Sequence, residues 1–119
     1  MRIEKVNEQL KREIGFILQT EVSDPRLEFV TILNADTSRD LRHAKVYYSV
    51  LGPEQKVKGA QQSLERARGH IRKMVGQRMK MRYTPELIFI YDQSAEYNAR
   101  IEETLKEIHE QVQENRSDS

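Results

Sequence analysis

The stretch Ser63-Leu64-Glu65-Arg66-Ala67-Arg68-Gly69-His70-Ile71-Arg72-Lys73 sits at the centre of the longest helical pattern in the chain. Val57, Ala60, Leu64, Ala67, Ile71, Met74, Val75 and Met79 recur at three- and four-residue spacing, the period of one helix face. Carried on to Met81, the pattern would make a helix approaching thirty residues, long for a small domain. Gly69 falls in its middle, where glycine costs about 1 kcal/mol relative to alanine. Two helices, or one sharply bent helix, are therefore expected, hinged at Ala67-Arg68-Gly69. Gly52-Pro53 bounds the unit on one side and Thr84-Pro85 on the other.

Working outward, His43-Ala44-Lys45-Val46-Tyr47-Tyr48-Ser49-Val50-Leu51 alternates. Ala44, Val46, Tyr48 and Val50 share one face, and Lys45, Tyr47 and Ser49 the other. This is the pattern of a strand with one buried side. Phe29-Val30-Thr31-Ile32-Leu33 is β-branched and aromatic and reads as a strand paired with it; residues 34–40, rich in Asn, Asp, Ser and Thr, read as a bend or loop. After the central helical unit, Leu87-Ile88-Phe89-Ile90-Tyr91 is a third strand. Ile3, Val6, Leu10, Ile14, Ile17 and Leu18 form the apolar stripe of a first helix that Asp24-Pro25 stops. Ile101, Leu105, Ile108 and Val112 mark a last amphipathic helix whose other face carries Glu102, Glu103, Glu107, Glu110 and Glu114. The expected architecture is α+β: a three-stranded sheet (Phe29 to Leu33, His43 to Leu51, Leu87 to Tyr91) covered by helices on one face, with a C-terminal helix. Leu64, Ile71 and Ile90 are expected in its core. Residues 1–112 read as a single domain and residues 113–119 as a flexible acidic tail.

The charge pattern points to a polyanion. Net charge is only +1. Yet residues 56–82 carry nine Lys or Arg against the single acid Glu65, leaving eleven basic and eighteen acidic residues elsewhere. The chain is thus about +8 in one segment and −7 in the rest, a local field that suits nucleic acid and argues against indiscriminate adhesion. A solvated basic helix face is the plainer alternative. Cysteine is absent, which removes disulfides, thiolate metal sites and a cysteine nucleophile. No run of about eighteen apolar residues suggests a membrane span, and the start lacks the features of a signal peptide. A cytoplasmic protein is expected.

Catalytic and metal chemistry finds little support. His43, His70 and His109 lie in three different elements, without ligand spacing. Asp36, Asp40 and Asp92 could in principle gather around Mg²⁺, but Asp92-Gln93-Ser94 reads better as a turn or helix cap. Of the tyrosines, Tyr48 should be in the core and Tyr47 exposed. Tyr83, beside Arg82 at the end of the basic segment, is the best candidate to stack on an unpaired base. Arg66, Arg68, Gly69, His70, Arg72, Lys73, Arg78, Lys80 and Arg82 are the expected RNA-binding residues, acting on the phosphate backbone by position and charge. If a second helix starts at the hinge, its free amides would add a phosphate site.

The element order resembles the bacterial, type II form of the KH domain, α-β-β-α-kink-α-β. KH proteins clamp nucleic acid with a Gly-x-x-Gly turn between two helices, and no such turn stands here. Six stretches, in order, instead resemble the ribosome-binding factor A family: Asp24-Pro25-Arg26, Ser38-Arg39-Asp40-Leu41, Ala44-Lys45-Val46-Tyr47, Ala67-Arg68-Gly69-His70-Ile71-Arg72, Pro85-Glu86-Leu87 and Asp92-Gln93-Ser94. In that family an interhelical Ala-x-Gly kink, here Ala67, Arg68 and Gly69, replaces the Gly-x-x-Gly turn. The resemblance covers about residues 2–108. One departure is Asn98, where the family usually has glycine; asparagine tolerates a left-handed backbone next best.

The resemblance implies a non-catalytic protein that binds free 30S ribosomal subunits and 16S rRNA. It would assist late subunit maturation, including processing of the rRNA 5′ end, and matter most in the cold. No cofactor, metal, membrane or small-molecule substrate is implied, and a monomer is expected. Two other classes compete. A ribonuclease or RNA-modifying enzyme would need a convergent acid–base or metal set. A general single-strand binder would interleave aromatic and basic residues along strands, whereas here the charge lies on helices.

Overall fold

A computed structural model describes residues 2–94 and 105–110. Helix α1 (Ile3–Thr20) buries Val6, Leu10, Ile14, Ile17 and Leu18, the apolar stripe expected of it. A single 3₁₀ turn, Pro25–Leu27, follows. Strands β1 (Val30–Thr37) and β2 (His43–Val50) pair antiparallel, and β3 (Glu86–Tyr91) pairs parallel to β2 after the crossover helix α2 (Glu54–Met79). The sheet order is β1-β2-β3. Both helices lie on the face that carries Ala44, Val46, Tyr48, Val50 and Leu87, all of them buried. This is the KH-like α+β architecture.

Three expectations need correction. The strand β1 does not end at Leu33, because residues 34–37 continue it. The cause is a bulge: Ile32 pairs with Tyr48, but Asn34 pairs with Tyr47. The extra residue, Leu33, resets the alternation. Burial therefore passes from Val30 and Ile32 to Ala35 and Thr37, and a period-two reading loses its phase at that point. Asn7 of α1 fixes the strand end by accepting a hydrogen bond from the Thr37 amide (2.8 Å).

The second correction concerns α2. It does not divide at Ala67-Arg68-Gly69 but runs as one helix of 26 residues. Ala60, Leu64, Ile71 and Val75, all fully buried, keep one helical phase across Gly69. The burial they gain outweighs the propensity cost of one glycine. No second helix starts there, so its free amides are not available to a phosphate. The third correction is Ile90. It is half-buried, whereas Leu64 and Ile71 are fully buried as expected. In β3 it is Leu87 and Phe89 that face the core; Ile90 lies across from Tyr47 on the open side of the sheet.

Two glycines of α2 differ in their surroundings. A Cβ at Gly69 would meet open space, whereas one at Gly76 would run into the Thr84 hydroxyl oxygen. Gly69→Ala is expected to stabilise the fold by about 1 kcal/mol. Gly76→Ala should destabilise it by about 1–3 kcal/mol through overpacking. Urea denaturation of the two variants checks both signs.

Residues 105–110 are helical, and Leu105 and Ile108 are exposed there. Ile101, Val112, Glu102, Glu103, Glu114, Asn98 and residues 113–119 lie outside the described residues.

Candidate nucleic-acid interface

The expected RNA-binding side chains of α2 divide into three groups by where the helix turns them. Arg66, His70 and Lys73, at i, i+4 and i+7, make one exposed ridge opposite the buried stripe, with Gly69 beside it. None of the three makes an ion pair within the described residues, and all three are exposed; beyond the Arg26 amide bond, the Arg66 charge also helps to hold the Asp24 carboxyl below its ordinary pKa.

Arg68 and Arg72 flank the core on the β3 side and are partly occupied. Arg68 pairs with Glu65 (3.2 Å) and reaches Glu86 (4.0 Å). The Arg72 guanidinium donates twice to the carbonyl of Thr84, from Nε at 3.2 Å and NH2 at 2.8 Å. It therefore braces the join between α2 and β3. Arg78 turns the other way, to α1, where it pairs with Glu13 and stacks over the Phe16 ring, 4.3 Å from its centroid. Of the nine expected RNA-binding residues, Arg78 and Arg72 thus make contacts that hold the fold together.

Beyond α2 the chain reverses through Lys80, whose backbone is left-handed (φ +52°) and whose amide still bonds to the Gly76 carbonyl. Lys80 and Arg82 follow, both exposed. The Arg82 guanidinium lies 5.6 Å from the ring centroid of Tyr83, and that ring is 76% exposed. A shallow depression of about 440 Å³ joins Gly69, Arg72, Lys73, Arg82, Tyr83 and Thr84. A cationic rim and an open aromatic ring therefore meet at one place, as backbone and base contacts require.

The other tyrosines are accounted for by the sheet. Tyr48 is 2% exposed, and burial pushes its phenol pKa up. Tyr47, expected to be exposed, is half-buried on the opposite face. Tyr97 lies outside the described residues.

Asp24, Asp40 and Asp92 act as turn caps, whereas Asp36 lies within β1 opposite Lys45. The carboxylate of Asp24 accepts the Arg26 amide (2.9 Å), which holds its pKa below the ordinary value. Asp40 is lowered in the same way, by the Ser38 hydroxyl (2.7 Å) and the Arg42 amide (3.1 Å). Asp92 is lowered by the hydroxyl and amide of Ser94. These bonds favour the charged carboxylate and use its lone pairs locally. Among the described residues no group of His, Asp or Glu is placed to hold a metal ion, and no helix is long and apolar enough to cross a membrane.

Sequence reasoning missed Arg42 and His43, which the β1–β2 turn brings beside Arg72 and Lys80. Their only signal was the local cluster Arg39, Arg42, His43 and Lys45, too short to stand out against the run on α2.

Fold and surface together define a KH-like protein with one cationic face suited to an RNA backbone. Comparison with known proteins narrows the class. The family model for ribosome-binding factor A matches residues 2–105. The ribosome-binding factor A of Halothermothrix orenii is 45% identical over 117 residues, covering 98% of this chain and 96% of its own length. The crystal structure of ribosome-binding factor A from Thermus thermophilus superposes with a TM-score of 0.68 at 28% identity, covering 76% of this chain and 97% of the other. A homology model of Thermus thermophilus ribosome-binding factor A, as fitted into the cryo-EM map of a 30S–RbfA complex, superposes with a TM-score of 0.63 at 30% identity, covering 73% of this chain and 91% of the other. The chain belongs to the ribosome-binding factor A family.

Proposed function

We propose that this chain is a non-catalytic RNA-binding assembly factor that docks on free 30S subunits and contacts 16S rRNA. The observation that carries the reading is the exposed ridge Arg66–His70–Lys73, opposite the buried stripe of α2 and without an ion pair among the described residues. A family relative fitted into a 30S complex supports the choice of partner. In this reading Gly69, which follows Ala67 and Arg68 and lies beside the ridge without a side chain, leaves room for the RNA backbone to approach. Arg68, Arg72, Lys80 and Arg82 extend the interface toward β3, and Arg78 anchors α2 against α1.

Residues 1–112 act as the single RNA-binding unit and residues 113–119 as an acidic tail. Binding favours one conformation of the immature rRNA over others, with energy drawn from the interaction alone. Late maturation of the subunit and processing of the 16S 5′ end follow from that population shift, with the largest need in the cold. The protein works as a cytoplasmic monomer, with no cofactor and no small-molecule substrate.

The test compares affinity for free 30S subunits with affinity for random single-stranded RNA at one salt concentration. Binding about a thousandfold or more tighter to the subunit is expected, the low end of the range that separates specific from non-specific nucleic-acid binding. Equal affinities would instead identify a general single-strand binder.

A further inference from the structure

Beside the ridge lies a second, larger groove of about 760 Å³, between the β1–β2 turn and the chain that links α2 to β3. Its volume is that of a pocket for a ligand-sized group, roughly 300–1,000 Å³. The floor is apolar: Leu41, which is 37% exposed, and the half-buried Met79 and Met81. Arg42, Lys80 and Arg82 line it with positive charge. The two acids in its wall are already engaged. Asp40 is held within its own turn, and Glu86 lies 3.7 Å from His43 and 4.0 Å from Arg68.

Backbone strain converges on the same groove. Among the described residues, the non-glycine residues with a left-handed backbone are Leu41 (φ +59°) and Lys80 (φ +52°), and both line it. Glycine or asparagine would hold these corners with less strain. A leucine and a lysine instead bring an apolar and a cationic side chain to the lining of one groove. Strain kept at two such corners of one groove is a mark of a site.

We propose that this groove receives one unpaired RNA nucleotide: the base lies on Leu41, Met79 and Met81 beneath the Tyr83 ring, and the flanking phosphates lie on Arg42, Lys80 and Arg82. The inference rests on the RNA-binding reading of α2 and extends it to the β1–β2 turn. Continuity supports it, because Arg72, Arg82, Tyr83 and Thr84 line both this groove and the depression beside Gly69 and Lys73. A strand following the ridge would thus pass directly over the opening. A paired base could not enter, since its faces are covered in the stack.

The test uses a short single-stranded RNA carrying one 2-aminopurine, the same RNA in a duplex, and free 30S subunits. Leu41→Gly and Tyr83→Ala probe the base contact, Arg42→Glu the phosphate contact, and Arg66→Glu with Lys73→Glu the ridge. Binding should change 2-aminopurine emission in the single strand only. Each groove variant should weaken single-strand and 30S binding about fivefold or more, the effect of losing one base or phosphate contact. Duplex binding should not change in Leu41→Gly or Tyr83→Ala. Leu41→Gly relieves a strained corner, so its thermal midpoint should not fall, and lost binding cannot be blamed on unfolding. Wild-type binding by the groove variants, with binding lost in the ridge variant, overturns the nucleotide site and leaves the ridge standing. The reverse result supports the groove and removes the ridge. Wild-type binding by both sets overturns both, and equal losses on single strand and duplex in Leu41→Gly also overturn the nucleotide site.

Discussion

Ile71→Ala and Leu64→Ala should each lower the free energy of unfolding by about 2–5 kcal/mol. Both side chains are fully buried on the stripe that seats α2 against the sheet and α1. Truncation removes apolar contact and leaves a cavity that α2 cannot close, because neighbours on the same stripe hold it in place. The urea midpoint should therefore fall with little change in slope. Ile90→Ala is the internal control. Its side chain is half-buried on the open face, so a cost of about 1 kcal/mol is expected from the area alone. Similar losses at Ile71 and Ile90 would mean that the two faces of the sheet have been assigned wrongly.

Arg66→Glu combined with Lys73→Glu should weaken binding to free 30S subunits by about tenfold or more while leaving the fold intact. Both residues are exposed and project from the side of α2 opposite its buried stripe, so neither reversal disturbs packing. Arg72 would be a poorer choice despite its charge: its guanidinium holds the Thr84 carbonyl, and a loss there would mix stability with binding. If each residue meets one phosphate, the log–log salt slope should shrink by about 1.4–1.8 in magnitude, from 0.7–0.9 per contact. The matching reversal Glu107→Lys with Glu110→Lys, on exposed helical residues, should change binding little. Circular dichroism serves as the folding control. An unchanged salt slope in the α2 variant would remove the ridge from the interface. Cells dependent on that variant should accumulate unprocessed small-subunit RNA, most clearly in the cold.

Family membership and RNA recognition draw on different parts of the chain. The matched residues 2–105 span every described strand and both long helices, so they speak for the architecture. The interface depends on fewer groups, and the structure ranks them. Within one run of basic residues, Arg78 and Arg72 serve the fold, Arg66 and Lys73 face solvent, and Lys80 and Arg82 sit at a corner. Helical spacing pointed Arg68, Arg72, Lys73 and Lys80 away from Ile71, but it carried no information about Glu13, Phe16, Glu86 or the Thr84 carbonyl, which lie far along the chain or beyond the helix end and draw Arg78, Arg68 and Arg72 to themselves.

By itself the sequence determined the element types, the core stripes of α1 and α2, the buried face of β2 and the segregation of charge. These are local or periodic properties: side-chain direction repeats every 3.6 or 2 residues, and charge can be counted. Tertiary structure alone decided four things. Leu33 became a bulge because β1 had to stay in register with β2 beyond it. Gly69 stayed helical because its neighbours' burial on the sheet and α1 outweighs one weak propensity. Ile90 faced outward because the parallel pairing of β3 on β2 sets which of two similar apolar residues meets the core. Arg42 and Lys80, distant in sequence, line one groove because two turns fold to the same end of the sheet. Each of these is a contact between segments far apart in the chain, and periodicity within a segment does not encode its partner across the fold.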